Sequence, residues 1–123
     1  MPDSRTKWEE FFSEREAEYL ADNFLGRLAT VSRSGQPHVV PVAYRFDGSL
    51  IYFGGWNLKR SLYYRNLVSD NRVAFVVDDI LPTHPWRPRG VEVRGRAELE
   101  EGDENVSVVR LRVNLVRSWG LGE

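Results

Sequence analysis

The sequence predicts a mainly β domain of six antiparallel strands with two short helices. Three observations carry that reading. Six runs rich in β-branched and aromatic residues lie between turn signals, only two segments show helical spacing, and 123 residues suffice for one core rather than two. A single domain over 1–123 is expected, with residues 1–11, polar apart from Trp8 and Phe11, as a flexible N-terminal segment.

Ser13-Glu14-Arg15-Glu16 has the form of a capping box, with Phe12 placed to staple onto Ala17, and predicts a helix to about Asp22. Its neighbourhood supplies Ala17, Tyr19, Leu20 and Phe24 to cover one end of the sheet. Leu25–Ser32 and Pro37–Phe46 read as strands joined across Ser34-Gly35. Asp47-Gly48, a hairpin signal because such turns need positive φ, leads into a third strand over Ser49–Gly54. In the second strand Val40, Val42, Tyr44 and Phe46 take one face while Val39, Pro41 and Ala43 take the other. Apolar residues on both faces predict burial on both, one inside the curl of the sheet and one against another body, for which a second copy of the chain is the simplest choice.

Asn57 or Ser61 opens the second helix, which runs to near Asp70 with Leu58, Leu62 and Leu67 on its apolar face. Asn71–Asp79 reads as a fourth, doubly buried strand. Ile80–Pro88 contains three prolines and is expected to leave the ladder. Gly90–Glu100 alternates, with Val91, Val93, Ala97 and Leu99 inward and Glu92, Arg94, Arg96 and Glu98 on an ion-paired exterior. Glu101-Gly102-Asp103 turns into the last strand, Val106–Arg117, where Leu111, Val113 and Leu115 oppose Arg110, Arg112 and Asn114.

Composition narrows the function. The chain has no cysteine, which removes disulfides, thiolate nucleophiles and Cys-type metal sites. Its two histidines, His38 and His84, form no metal-binding spacing, so no metal is expected. A net charge of −1 argues against binding nucleic acid through phosphate neutralisation. No run approaches the length of a membrane span, and the charged first residues do not form a secretory signal, so a cytoplasmic location is expected. Of 17 basic side chains only Lys7 and Lys59 are lysine, a bias that suits planar anions and that genome composition also produces.

Three segments can hold a ligand. In Gly54-Gly55-Trp56-Asn57-Leu58-Lys59-Arg60-Ser61 a strand end runs through glycines into a helix, where backbone can approach a ligand and unpaired N–H groups suit a phosphate. Lys59 and Arg60 in a first helical turn oppose the helix dipole, and an anion relieves them; a solvated helix start is the alternative. Pro37-His38-Val39-Val40-Pro41-Val42 places prolines in a strand, marking an edge or bulge where main-chain groups can meet a ring. Trp86-Arg87-Pro88-Arg89-Gly90 offers two arginines on a stiff loop for a polyanionic tail and a tryptophan to stack on a ring; solvated arginines and a core tryptophan are the alternative.

The order and spacing of Leu25–Gly54, of Trp86–Glu98, and of the flanking FSEREAEYL and SWGL segments resemble the FMN-binding split-barrel superfamily of pyridoxamine 5′-phosphate oxidase, and within it the small coenzyme F420-dependent oxidoreductases. The resemblance implies a six-stranded antiparallel Greek-key split barrel and a homodimer with cofactor sites at its interface. It implies coenzyme F420, with FMN as the alternative, bound by His38, Val40, Pro41, Val42, Gly54, Gly55, Lys59, Arg60, Ser61, Arg65, Trp86, Arg87 and Arg89. The expected activity is hydride transfer between that cofactor and a small organic substrate; a flavin-, deazaflavin- or haem-binding carrier of the same fold is the other option. No catalytic side chain can be named. Tyr63 departs from the pattern, because members of the family place a lysine or arginine there to contact the phosphate.

Overall fold

The structure, a computed structural model, describes residues 11–56, 58–101 and 106–122. Its elements are α1 (Glu14–Ala21), β1 (Leu25–Val31), β2 (Pro37–Ala43), β3 (Arg45–Phe46), β4 (Ile51–Trp56), a 3₁₀ turn (Leu58–Arg60), α2 (Leu62–Ser69), β5 (Arg72–Leu81), β6 (Arg87–Glu101) and β7 (Val106–Trp119). The expectations for residues 1–10, for Asn57 and for the Gly102-Asp103 turn lie outside the described residues.

The strands form one antiparallel sheet in the order β2-β1-β5-β6-β7-β4-β3. Its two edge strands are consecutive in the chain, so the sheet curls into a half-barrel. There are seven strands rather than six because the expected strand Pro37–Phe46 breaks at Tyr44. The Tyr44 backbone N–H donates to Phe24 O (2.9 Å) and its hydroxyl to Leu20 O (2.6 Å), which takes the residue out of the ladder and ties it to the link between α1 and β1. Burial accordingly pushes the Tyr44 phenol up from its ordinary pKa. Before the break the chain pairs with β1; after it, Arg45 and Phe46 pair with Tyr52 and Ile51 of β4.

Alternate strand residues fill the interior. Leu28, Phe53, Phe75, Val77, Val91, Val93, Val109 and Leu111 are fully buried, and Phe75 meets Tyr44 and Phe53 edge-on at centroid separations of 5.3 and 5.0 Å. Helix α1 begins with the complete capping box: Ser13 Oγ accepts from Glu16 N (3.1 Å) and Glu16 Oε1 from Ser13 N (2.8 Å). Phe12 is buried against Phe46, and Ala17 packs on the same core. Phe24 is 75% exposed instead of covering the sheet end, since the turn out of α1 directs Leu20 and Tyr19 inward.

Four further expectations change. Pro82–Trp86 alone forms the β5–β6 turn, for Ile80 and Leu81 pair with Pro88 and Arg87. Pro88 is tolerated because β7 reaches only to Gly90, leaving no strand on its far side to receive a donor. Leu115 is 39% exposed instead of inward: the β6–β7 register slips between Arg94 and Gly95, leaving Asn114 as an extra residue that inverts the facing of the residues beyond it. In the second helix Leu58 falls in the 3₁₀ turn, so α2 turns Tyr63, Tyr64, Asn66 and Leu67 inward and leaves Leu62 46% exposed. Finally, within one chain β2 buries a single face: Val42 is buried and Val40 packs on the core, whereas Val39 is 65% exposed and Pro41 and Ala43 are exposed with it. In β5 likewise Val73, Phe75 and Val77 are buried while Ala74 and Val76 are half-buried.

Candidate functional site

β2 pairs with β1 and β3 with β4, so the chain changes neighbours at Tyr44. Beside that fork lies a cleft of ≈310 Å³, lined by Ala43, Arg45, Tyr52, Phe53, Gly54 and Val108. β4 continues past Gly54 and Gly55, which pair with Val108 and Ser107, into the 3₁₀ turn and α2, and α2 packs over β1 and β2. Of the segments expected to meet a ligand, the edge strand β2 and α2 are thus in contact, and the glycine-rich end of β4 leads directly into the turn before α2.

Ser61 is the N-cap of α2. Its Oγ accepts from Tyr64 N (3.3 Å) and donates to Leu58 O (2.7 Å), so the hydroxyl is occupied in holding the 3₁₀ turn against the helix. Lys59 and Arg60 therefore precede the cap instead of lying in the first helical turn. Both are exposed, as is Arg65. Tyr63 is buried, and burial, partly offset by its hydrogen bond with Ser61, pushes its phenol above the usual range.

His38, Val40 and Val42 point inward from β2, whereas Pro41 faces out. His38 stands opposite Thr30, a buried residue whose Oγ1 accepts from Asn66 Nδ2 of α2 at 3.0 Å. The His38 Nδ1 is buried and has no hydrogen-bond partner. Orphaned polar atoms of this kind are uncommon in folded proteins.

The third segment lies elsewhere. Trp86 is 71% exposed at the β5–β6 tip, with Arg87 exposed beside it. Arg89 is committed within the fold: its Nε and one terminal nitrogen donate to the two Asp79 oxygens at 2.7 and 3.1 Å, while Tyr19 OH donates to Asp79 Oδ1 at 2.7 Å and the guanidinium lies 5.1 Å from the Tyr19 ring centroid. This clasp fixes α1 to the β5–β6 hairpin, and the Arg89 and Tyr19 hydrogen bonds hold the Asp79 carboxyl below its ordinary pKa. Separation keeps the tip away from His38. His38 faces Thr30, next to the Ala29–Ala74 pair, and Ala74 is seven strand residues before Leu81, which faces Arg87. At about 3.3 Å per residue that is roughly 23 Å along the strand.

Ion pairing sorts the remaining cations. On the β6–β7 exterior Arg94 pairs with Glu92 and Arg110 with Glu98 and Glu100, whereas Arg96, expected in the same ion-paired face, donates to Asn71 Oδ1 (2.9 Å) instead. Arg60, Arg65 and Arg87 have no ion-pair partner among the described residues, and neither does Arg45, which was not among the residues expected to bind. Arg45 belongs to no motif, and only the break at Tyr44 places it in a cleft. No group of three or more metal-ligating side chains occurs among the described residues, and no helix there is long and apolar enough to cross a membrane.

The profile of the pyridoxamine 5′-phosphate oxidase family matches residues 12–120. The chain is 34% identical over 119 residues to the 5a,11a-dehydrotetracycline/5a,11a-dehydrooxytetracycline reductase of Streptomyces rimosus, covering 89% of this chain and 84% of that protein. Among solved structures, the conserved hypothetical protein Rv2991 of Mycobacterium tuberculosis superposes with a TM-score of 0.77 at 25% identity, covering 90% of this chain and 86% of that one. An F420 reductase superposes with a TM-score of 0.66 at 24% identity, covering 81% and 94% respectively, and shares the fold.

Proposed function

Since the chain belongs to the pyridoxamine 5′-phosphate oxidase family, we propose that it is an oxidoreductase that binds a phosphorylated flavin-type cofactor, coenzyme F420 in preference to FMN, and exchanges a hydride with a small organic substrate. The observation that carries the reading is the set of cations without carboxylate partners among the described residues, Arg60 and Arg65, flanking the capped start of α2 beside the inward-facing His38. When bound, the cofactor supplies the hydride chemistry, and the protein supplies binding, orientation and a dry setting. Arg60 and Arg65 hold the phosphate in place of the cation that Tyr63 replaces. The edge strand β2, with no neighbour on one side and prolines at 37 and 41, offers main chain to the ring. A reductase relative and an F420 reductase of the same fold support the choice.

The working form in this reading is a homodimer. Val39, Leu25, Ile80 and Trp119 leave apolar surface on the outer side of the sheet, where Arg27, Ala29, Val39, Val76, Glu92 and Trp119 line a groove of ≈260 Å³. A second copy covers that face and lends Trp86 and Arg87 to a cofactor held mainly by the first, which accounts for candidate residues some 23 Å apart along the strand.

Parallel absorbance and fluorescence titrations with F420 and FMN test this. Saturable F420 binding with weak FMN binding, followed by oxidation of the reduced cofactor when acceptors are added, is the expected result. The buried Tyr63 favours a second reading, a carrier that binds without turnover; binding with no oxidation across a broad acceptor panel selects it, and failure to bind either cofactor refutes both.

A further inference from the structure

Arg45 stands at the fork on the outer side of the sheet, beside Tyr52, with Ala43, Phe53, Gly54 and Val108 forming the remainder of a ≈310 Å³ cleft. The carboxylates of the adjoining turn and strand are already engaged. Asp47 Oδ1 accepts from Ser49 N (2.9 Å) and Leu50 N (2.8 Å), and its Oδ2 accepts from Tyr52 OH (3.1 Å). Although burial alone raises the Asp47 pKa, these bonds bring it below the ordinary value. Glu98 and Glu100 are both drawn to Arg110, the cross-strand neighbour of Tyr52. Arg45 has no ion-pair partner among the described residues, and it lines a cleft whose small residues and aromatic wall suit a flat molecule and whose volume falls within the range of small-ligand sites. Guanidinium matches the planar, bidentate geometry of a conjugated oxyanion better than any other side chain.

We propose that this cleft is the acceptor subsite, with Arg45 holding a planar oxyanion, a conjugated carboxylate or enolate, on the electron-accepting substrate. The assignment of the occupant as acceptor rests on the oxidoreductase reading; recognition of the anion does not. Arg45 is a specificity residue: it selects acidic acceptors over neutral ones of equal shape, and it is not needed for cofactor binding.

The test is direct binding of 2-naphthoate and its neutral isostere 2-naphthamide to the cofactor-free protein by calorimetry. The wild type should bind naphthoate at least about tenfold more tightly. R45Q should abolish that preference without changing naphthamide binding, and R45K should restore part of it. Arg45 is exposed, so unchanged thermal unfolding of R45Q establishes that the variant folds. Equal affinity for the two probes, no binding of either, or a preference that survives R45Q overturns the proposal. Adding F420 or FMN at saturation should leave naphthoate binding in place; competitive displacement assigns the cleft to the cofactor and also overturns it. Cofactor titration alone leaves this result untouched, so the two readings fail separately.

Discussion

If each site is shared between two copies, two separately inactivated variants should rescue one another. One variant removes the cations of the α2 start, R60A with R65A; the other removes the hairpin tip, W86A with R87A. All four side chains are exposed, so each pair of substitutions should shift stability by no more than about 1 kcal/mol. Loss of two charge-assisted contacts, at about 1.5 kcal/mol each, weakens phosphorylated cofactor roughly a hundredfold. Loss of the stacking indole and Arg87 should weaken it by a similar factor.

Co-expression of the two in equal amounts gives parental and mixed dimers at random. About half the dimers are mixed, and by two-fold symmetry each mixed dimer carries one intact site and one site missing both halves, so about a quarter of wild-type sites should return. Stoichiometry from a fluorescence titration of differently tagged, doubly purified dimers measures this as one tight site per mixed dimer. The geometry makes the outcome decisive: within a chain, His38 and the tip are separated by roughly 23 Å of strand. Mixed dimers with no tight site, or a tip variant that binds as well as wild type, would refute the shared-site argument.

Three other outcomes rest on contacts within the fold. G95A should cost about 2–4 kcal/mol, read as a drop in thermal midpoint, because an added Cβ would lie 1.9 Å from Arg112 O at the β6–β7 bulge and backbone must move to admit it. Replacing Phe75 by alanine should cost about 3–5 kcal/mol in denaturant titrations, since the ring is fully buried between Tyr44 and Phe53. The clasp should be sensitive to acid. With its folded pKa lowered by Arg89 and Tyr19, Asp79 contributes fully above the unfolded carboxylate value of about 3.9 and loses its contribution as pH falls below that through the folded value. Thermal scans from neutral pH to about pH 2 should therefore show D79N less stable than wild type at neutral pH and the difference vanishing in acid; a constant gap contradicts the clasp.

Local signals in the sequence survived folding where the interaction they imply is itself local. The Ser13–Glu16 box closes within four residues, and the alternation of Val91, Val93 and Ala97 against Glu92, Arg94 and Glu98 needs only one buried face. The features that escaped depend on contacts distant in sequence. Tyr44 leaves the ladder for Phe24 and Leu20, and the Asn114 bulge appears only when β7 is laid against β6. Leu58, Leu62 and Leu67 have helical spacing, but the bond from the Ser61 backbone N–H to Leu58 O closes a 3₁₀ turn and shifts the phase of the helix. Burial of the outer face of β2 needs a second body, so within one chain Val39 stays exposed.

The same distinction governs the site. Residue type identifies cations near Ser61 and Trp86, yet type does not say which cations are already neutralised. Within the sheet, register gives some arginines a cross-strand carboxylate, Arg89 facing Asp79 and Arg110 facing Glu98, while Arg96 faces Arg72 and Arg112. Arg60, Arg65 and Arg87 stand in a 3₁₀ turn, on a helix and at a hairpin tip, where no such partner is imposed. Arg45 is a strand residue that nevertheless has none among the described residues, because β3 is two residues long and its facing neighbour is Tyr52. The break at Tyr44 thus does two things at once: it ends the β2–β1 pairing so that a cleft can open beside β4, and it places Arg45 opposite Tyr52 on the wall of that cleft. A sheet that ran unbroken from Pro37 to Phe46 would carry Arg45 toward β1 and close the cleft, so variants that restore extended pairing at Tyr44 should lose binding of planar anions while keeping the fold.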